Sequence, residues 1–213
     1  MDLYALADGR IVIIRPIRPD DVERLRAAHG RLSPLTRYRR FMTAKPSLSD
    51  ADASYLANID GFDHYALVAT YAGHDGDPAA PLVAMDGEEA APIIAVARFV
   101  RTPEDAGAAE FAIVVGDDWQ GEGIGRELMG RLVDAAVTRG VTRFEASMLA
   151  DNVAIQRLSE RFAAGPLQRR RRGNTFEVSF LLPTRADAPL PADAPPPVEA
   201  APAPAMIAGC AGS

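Results

Sequence analysis

A glycine-rich turn at residues 120–126 carries the clearest chemical signal in the sequence, Gln-Gly-Glu-Gly-Ile-Gly-Arg. It follows an apolar stretch typical of a strand, residues 110–115, and opens an amphipathic stretch typical of a helix, residues 124–139. The first N–H groups of a helix lack partners within it and lie at the positive end of its dipole. Glycines also let a ligand approach the backbone closely. The turn is therefore predicted to bind an anion such as a pyrophosphate.

Two familiar nucleotide-binding patterns fit this turn poorly. A P-loop has Lys and then Ser or Thr after its last glycine, whereas this chain has Arg126 and Glu127. A dinucleotide-binding turn has the spacing G-x-G-x-x-G, whereas the glycines here follow G-x-G-x-G. Glu145 does lie about 20 residues further on, as that fold requires, but too little ordered sequence follows it to complete the sheet. A turn without a ligand is also disfavoured, because three glycines at a helix start are destabilising.

The third pattern, Q-x-x-G-x-G at residues 120–125, resembles the CoA-pyrophosphate loop of the GNAT superfamily of N-acetyltransferases. The resemblance covers roughly residues 10–182, with the expected order of strands and helices. Residues 15–20, 32–41 and 109–121 are similar to the bacterial protein-lysine acetyltransferase branch, whose members modify acyl-CoA synthetases. A protein with an exposed lysine, such as an acyl-CoA synthetase, is therefore the expected acceptor.

The resemblance implies a fold and a set of cofactor contacts. The expected fold is α/β (α+β), a single domain whose mixed, mostly antiparallel sheet is flanked by helices and has splayed central strands. Acetyl-CoA is the expected acyl donor, and no metal is expected. The residues expected to bind the cofactor are Ile113, Val115, Gln120, Gly121, Gly123, Gly125, Arg126 and Asn152. The backbone N–H groups of Ile113 and Val115 are expected to pair with the pantetheine arm and to polarise the thioester carbonyl. The alternative role for Asn152 is that of a helix N-cap.

Glu110 is the expected general base. A lysine with a pKa near 10.4 is neutral in roughly 1 molecule of 2,500 at pH 7, and only the neutral amine attacks a thioester. A nearby carboxylate can remove the proton directly or through a water. Glu110 stands at the start of the predicted strand, where the resembling branch keeps its catalytic glutamate; the alternative is a surface or salt-bridged carboxylate. Glu104 and Asp105 are predicted in a loop and are weaker candidates.

Two positions bear on the rest of the mechanism. Many GNAT enzymes place a tyrosine, the general acid toward the leaving thiolate, seven residues after the asparagine; this chain has Ser159 there. A thiol with a pKa near 8.5 is a tolerable leaving group without an acid, so catalysis does not depend on that position. Trp119 is expected to pack in the core or the loop rather than to contact substrate.

The elements that must position these residues follow from periodicity and from helix-start signals. Asp20 and Asp21 are predicted to cap the first helix, Ser33 to open the second and Ser49 to cap the third. The arginine run at residues 169–172 is predicted to form a solvated hairpin. Strands are predicted at residues 10–17, 64–71, 93–100, 110–115, 142–149, 167–172 and 176–182, and helices at residues 22–32, 34–41, 50–57, 124–139 and 152–162.

Composition sets the domain limits. Residues 1–182 are predicted to form the GNAT domain, with a polar hairpin insertion at residues 73–91. Residues 183–213 are rich in proline and alanine and have no periodic apolar face, so they are predicted to be a disordered tail. Removing that tail is expected to leave folding and turnover nearly unchanged.

Composition also excludes several functions. A net charge of −6 argues against a general nucleic-acid or anionic-membrane binder. The single cysteine, Cys210, permits no internal disulfide, and the three histidines lack zinc-site spacing. No apolar run approaches the length of about 18 residues that spans a bilayer. A cytoplasmic, metal-free acetyltransferase is the prediction, with its oligomeric state left open. The alternatives are a small-molecule amine acetyltransferase and a non-catalytic acyl-CoA-sensing module.

Overall fold

Eight strands form one mixed sheet in the computed structural model, which describes residues 2–74 and 91–184. The order across the sheet is β1-β2-β3-β4-β5-β6-β8-β7. Every neighbouring pair is antiparallel except β5 and β6, which are parallel. The strands are β1 (Asp2–Ala5), β2 (Arg10–Pro16), β3 (His64–His74), β4 (Ile93–Thr102), β5 (Asp105–Val115), β6 (Arg143–Leu149), β7 (Gln168–Arg172) and β8 (Thr175–Leu181).

Helices cover both faces of this sheet. They are α1 (Val22–Arg31), α2 (Pro34–Phe41), α3 (Asp50–Ala57), α4 (Ile124–Thr138) and α5 (Val153–Phe162). We call the side covered by α1, α2 and α3 the α2 face, and the side covered by α4 and α5 the α4 face. Because side chains alternate along a strand, β5 directs Phe111 and Ile113 to the α4 face and Glu110 and Val114 to the α2 face.

The larger core lies on the α4 face. Phe111, Phe144 and Phe180 form an aromatic cluster whose ring centroids are 5.3–6.1 Å apart. Leu128 and Leu132 of α4 are fully buried against the same core. Such offset and edge-on ring pairs stabilise a core beyond the area they bury, so this face holds the centre of the sheet together.

A smaller core lies on the α2 face, where Leu25 of α1 and Leu56 of α3 pack on Val68 of β3. A buried ion pair lies at the start of α1, with Arg15 Nη1 and Nη2 donating to the two carboxylate oxygens of Asp21 at 2.7 and 2.8 Å. Burial alone would raise the pKa of Asp21, but these bonds and the Arg18 N–H hold it below its ordinary value.

Most predicted elements are confirmed. Ser33 and Ser49 cap α2 and α3, accepting bonds from the backbone N–H groups of Thr36 and Asp52. The arginine run forms the exposed strand β7, joined to β8 by a tight turn. Residues 75–90 of the predicted insertion and residues 185–213 of the predicted tail lie outside the described residues.

One strand was not predicted, and two predictions about elements are wrong. The sequence did not indicate β1, which pairs with β2 through a mostly exposed, four-residue strand. Strand β5 begins at Asp105 rather than at Glu110, so Asp105 is not in a loop and Glu110 lies in the middle of the strand. Asp21 occupies the N-cap position of α1, but within the described chain it makes no capping bond to that helix, because its carboxylate accepts from Arg15, Arg24 and the Arg18 N–H. No helix of the described residues is long and apolar enough to cross a bilayer.

Candidate active site

A wedge-shaped gap opens in the centre of the sheet between β5 and β6. The two strands pair only at Ala108↔Arg143, Ala109↔Phe144 and Glu110↔Glu145. Past Glu110, β5 continues along β4 as far as Val115, while β6 continues along β8 as far as Leu149. The predicted splay of the central strands is therefore confirmed.

Backbone donors line this gap. The Gly116 N–H donates to the Ile94 carbonyl oxygen at 2.8 Å and so faces β4. Successive N–H groups along a strand face opposite edges, so those of Ile113 and Val115 face the gap. A chain molecule lying in the gap could accept from both, as a neighbouring strand would.

The glycine turn closes one end of the gap. Gly121 and Gly123 have φ angles of 86° and 87°, a left-handed conformation that strains any residue with a side chain. Gly123 is the N-cap residue of α4, and in this described segment no side chain caps the helix, so its first N–H groups face the groove. Gly125 is not required by the backbone conformation, since a β-carbon there would make an ordinary 3.5 Å contact with Val115.

The polar side chains of the turn take distinct roles. Gln120 Nε2 donates to the Val115 carbonyl oxygen at 3.1 Å, which braces the turn against β5. Glu122, whose negative charge would repel a bound anion, pairs with Arg10 at 3.3 Å. Arg126 is exposed in the first turn of α4 and lines the groove.

All predicted site residues line one groove of about 340 Å³. They are Glu110, Ile113, Val115, Gln120, Gly121, Gly123, Gly125, Arg126 and Asn152. Helix α2 forms one wall of the groove and the start of α5 forms the other. Segments distant in sequence therefore meet in one place, which is large enough for part of a small-molecule ligand.

Asn152, which precedes α5, and Ser159, within α5, have different environments. Asn152 occupies the N-cap position, but among the described residues its side chain makes no capping bond, so it is available to the groove that it lines. Ser159 is completely buried, and its hydroxyl donates to the Ile155 carbonyl oxygen at 2.9 Å within the helix. Ser159 therefore does not replace the tyrosine that many GNAT enzymes carry there.

Glu110 lies on the α2 face of β5, partly buried beneath α2. Burial raises the pKa of its carboxyl to about 7, with the nearby Glu145 adding to the rise and Arg40 opposing it. A carboxyl group that titrates near neutral pH can both accept a proton from an amine and release it to solvent. The environment thus suits a general base better than a surface carboxylate.

A buried group of charges beside Glu110 was not predicted. Arg98 of β4 is only 3% exposed, and its guanidinium donates to the Leu56 carbonyl oxygen at 3.3 Å and contacts His64 Nε2 at 3.0 Å. Burial, together with the Arg98 charge, lowers the pKa of His64 to about 3, so this neutral ring accepts the bond. Burial also lowers the pKa of Arg40 to about 10. The one sequence signal was Arg98 itself, a cation within the otherwise apolar residues 93–100.

Trp119 packs as predicted, with its ring centroid 5.2 Å from that of Tyr71 and with the Arg10 guanidinium 4.4 Å above it. It also lines the groove.

Within residues 2–74 and 91–184, no three histidine, cysteine or acidic side chains group in a way that could hold a metal ion.

Comparisons with known proteins agree with this geometry. The acetyltransferase (GNAT) domain model matches residues 12–164. Acetyltransferase Pat of Mycolicibacterium smegmatis is 38% identical over 156 residues, which cover 73% of this chain and 42% of Pat. Acetyltransferase PA5475 of Pseudomonas aeruginosa is 35% identical over 154 residues, covering 72% of this chain and 75% of that protein. The crystal structure of the GNAT domain of S. lividans PAT superposes with a TM-score of 0.69 at 27% identity, covering 85% of this chain and 96% of that one. The chain thus spans less than half the length of the M. smegmatis relative.

Proposed function

The chain belongs to the GNAT family of acetyltransferases, and we propose that it transfers an acetyl group from acetyl-CoA to the side-chain amine of a protein lysine. One observation carries the proposal: the carboxyl group of Glu110, whose pKa is raised to about 7, shares a groove with the free N–H groups of β5 and the uncapped start of α4. An acyl donor and a proton acceptor can therefore meet there.

We place the donor along the length of the groove. The pyrophosphate lies at the glycine turn, where the first N–H groups of α4 and the Arg126 guanidinium meet its charge. The pantetheine arm lies in the gap along Ile113 and Val115, with Asn152 on the opposite wall. One of the N–H groups of β5 then donates to the thioester carbonyl oxygen and stabilises the negative charge that develops on it.

The reaction begins with the lysine ammonium, which gives one proton to Glu110 directly or through a water. The neutral amine attacks the thioester carbon, forming the C–N bond as the C–S bond breaks. The second proton lost from nitrogen ends on the CoA sulfur, and Glu110 returns the first to solvent. The buried hydroxyl of Ser159 takes no part, and a thiolate with a pKa near 8.5 can leave without an acid.

A protein acceptor is supported by the similarity of residues 32–41 and 109–121 to protein-lysine acetyltransferases. The test measures CoA release with a panel of folded proteins, including an acyl-CoA synthetase, and with a panel of free amines. We expect release with at least one protein and localisation of the acetyl group to a lysine by mass spectrometry. Release only with free amines would assign a small-molecule acceptor, and binding of acetyl-CoA without any release would assign a sensing module.

The donor is tested separately by thermal denaturation. Acetyl-CoA should raise the melting temperature, because a ligand that binds only the folded state stabilises it, whereas NAD and ATP should not. Gly123→Asp should abolish the shift, since a carboxylate would occupy the pyrophosphate path. Gly61→Asp is the matched control: Gly61 also has a positive φ, of 74°, but lies in open space away from the groove. Equal loss of the shift in both variants would refute the assignment of the turn.

A further inference from the structure

A second cavity of about 130 Å³ lies on the α2 face, under α1 and α2. Its walls are mostly apolar, with Leu25, Leu32, Leu48, Leu56, Ile93 and Val96 among them. Nothing in the acetyl-transfer mechanism requires this space. Protein interiors are close-packed, so an apolar void of this size beside a reactive groove calls for an explanation.

The second cavity adjoins the cofactor groove. Arg40, Phe41, Val114 and Trp119 line both spaces. Val114 belongs to the stretch of β5 that borders the gap, between the two residues whose N–H groups face the thioester. The two spaces therefore meet where the acyl group of a bound donor would lie.

The geometry of attack sets the direction of the acyl chain. The amine must contact Glu110 as it reaches the thioester carbon, so that carbon lies on the α2 face of β5. Val114 is on the same face, four residues along the strand, and the second cavity opens beside it. Atoms beyond the acyl carbonyl therefore extend toward this cavity rather than toward the filled core on the α4 face.

Several charged groups in the cavity wall are already bonded. Arg98 is bonded to His64 and Leu56, and Arg31 donates to the Ile93 carbonyl oxygen at 2.9 Å. The Asp117 carboxylate accepts from Ser33 and Thr36 at 2.7 Å. His29, Arg40 and Asp118 also line the cavity, but leucine, isoleucine and valine side chains make up more of its wall and favour hydrocarbon over a charged chain.

We propose that this second cavity accepts the acyl chain of donors longer than acetyl-CoA, namely unbranched apolar chains of up to about six carbons. The inference rests on the proposed function, because it places the thioester by that mechanism. At roughly 30 Å³ for a water-sized group, the cavity holds about four atoms beyond the acetyl group. Each buried methylene strengthens binding by about three- to fourfold.

The experiment measures the affinities of acetyl-, butyryl-, hexanoyl- and succinyl-CoA by titration calorimetry, together with transfer rates to one lysine substrate. Hexanoyl-CoA should bind at least about tenfold more tightly than acetyl-CoA. Ala28→Leu, which fills the cavity from α1, should reduce that preference to less than about threefold and leave acetyl-CoA affinity unchanged. Ala27→Leu is the matched control, because the neighbouring Ala27 is exposed and its replacement should change neither affinity.

The outcomes are decisive in either direction. Equal affinities of the wild type for acetyl- and hexanoyl-CoA, or a preference that survives Ala28→Leu, would overturn the inference. Preference for succinyl-CoA over butyryl-CoA would also overturn it, since the cavity would then bind an anion at Arg40 and Arg98. Retained acetyl-CoA binding shows that the filled variant is folded. Failure of every thioester to bind would instead refute the proposed function and this inference with it.

Discussion

The two faces of β5 differ sharply although they belong to one strand. On the α4 face, Phe111 stacks with Phe144 at 5.3 Å between ring centroids, in a core that includes the fully buried side chains of α4. On the α2 face, Glu110 and Val114 border two cavities, and Arg98 is buried nearby. One face is apolar and filled, whereas the other is charged and hollow.

The difference shows how a reactive group can be held in a marginally stable domain. A buried carboxyl and a cavity both destabilise the fold, so the stability must come from elsewhere. Here it comes from the opposite side of the same strand, where aromatic packing fixes the backbone that carries Glu110. Substitutions on the two faces should therefore separate rate from stability.

The largest expected effect is on the rate. Glu110→Gln should lower kcat by about 10²–10⁴, the usual range for a lost general base, while acetyl-CoA affinity changes little because backbone groups hold the cofactor. The wild-type rate should rise with pH through about 7, where the Glu110 carboxyl loses its proton, and the variant should lack this rise.

Kinetics and a binding titration on the same preparation provide the control, since a misfolded variant would fail both. If the variant binds acetyl-CoA normally and turns over within about threefold of wild type, Glu110 is not the general base.

The next effect is on stability and should be confined to the filled face. Phe111→Ala should lower the free energy of unfolding by about 3–5 kcal/mol, because it leaves a cavity in the aromatic cluster. Val114→Ala, three residues further along the same strand, should cost about 1 kcal/mol, since its side chain already borders empty space. Urea denaturation at fixed pH measures both, and equal losses would contradict the contrast between the faces.

The smallest effect is a gain in stability at high pH when the Glu110 charge is removed. Because burial raises the pKa of Glu110 from its ordinary value to about 7 in the folded protein, the folded state holds this proton over a range where the unfolded state has released it. Wild-type stability should therefore fall as pH rises from about 4.5 to 7, by at most about 3 kcal/mol. Glu110→Gln should remove this decline.

The variant is accordingly expected to be more stable than wild type at pH 8 and nearly equal to it at pH 4. Denaturation curves at both values test this, with Glu104→Gln at an exposed position of the neighbouring hairpin as the control. A variant that is less stable than wild type at pH 8 would show that Glu110 contributes a favourable interaction rather than a strained charge.

Local signals predicted the elements well wherever a cap or a long apolar period was present, as for α3 behind Ser49 and for α4. They failed for β1 and for the start of β5, because these segments are short or built of small residues, and pairing with a neighbouring strand makes them strands. For the same reason the sequence placed Glu110 at a strand end instead of beneath α2.

The groove residues could be predicted because a turn, a strand and a helix start lie together in the sequence. The group formed by Arg40, His64 and Arg98 could not, since three separate elements bring it together and no local pattern marks it. The second cavity likewise depends on how α1 and α2 lie on the sheet, which composition does not report.

The short parallel pairing between β5 and β6 has a consequence for the exchange of amide hydrogens. In strand pairing, three residue pairs join the meander of β1 to β5 to the unit of β6, β8 and β7. The Phe111, Phe144 and Phe180 cluster also bridges the two units, but opening here breaks fewer backbone hydrogen bonds than opening elsewhere in the sheet, so it requires less free energy than global unfolding. The amides of the smaller unit should exchange faster than those of β3 and β4. An acyl-CoA lying in the gap would bridge the two units, so protection should rise throughout β6 and β8, including at amides that never touch the ligand.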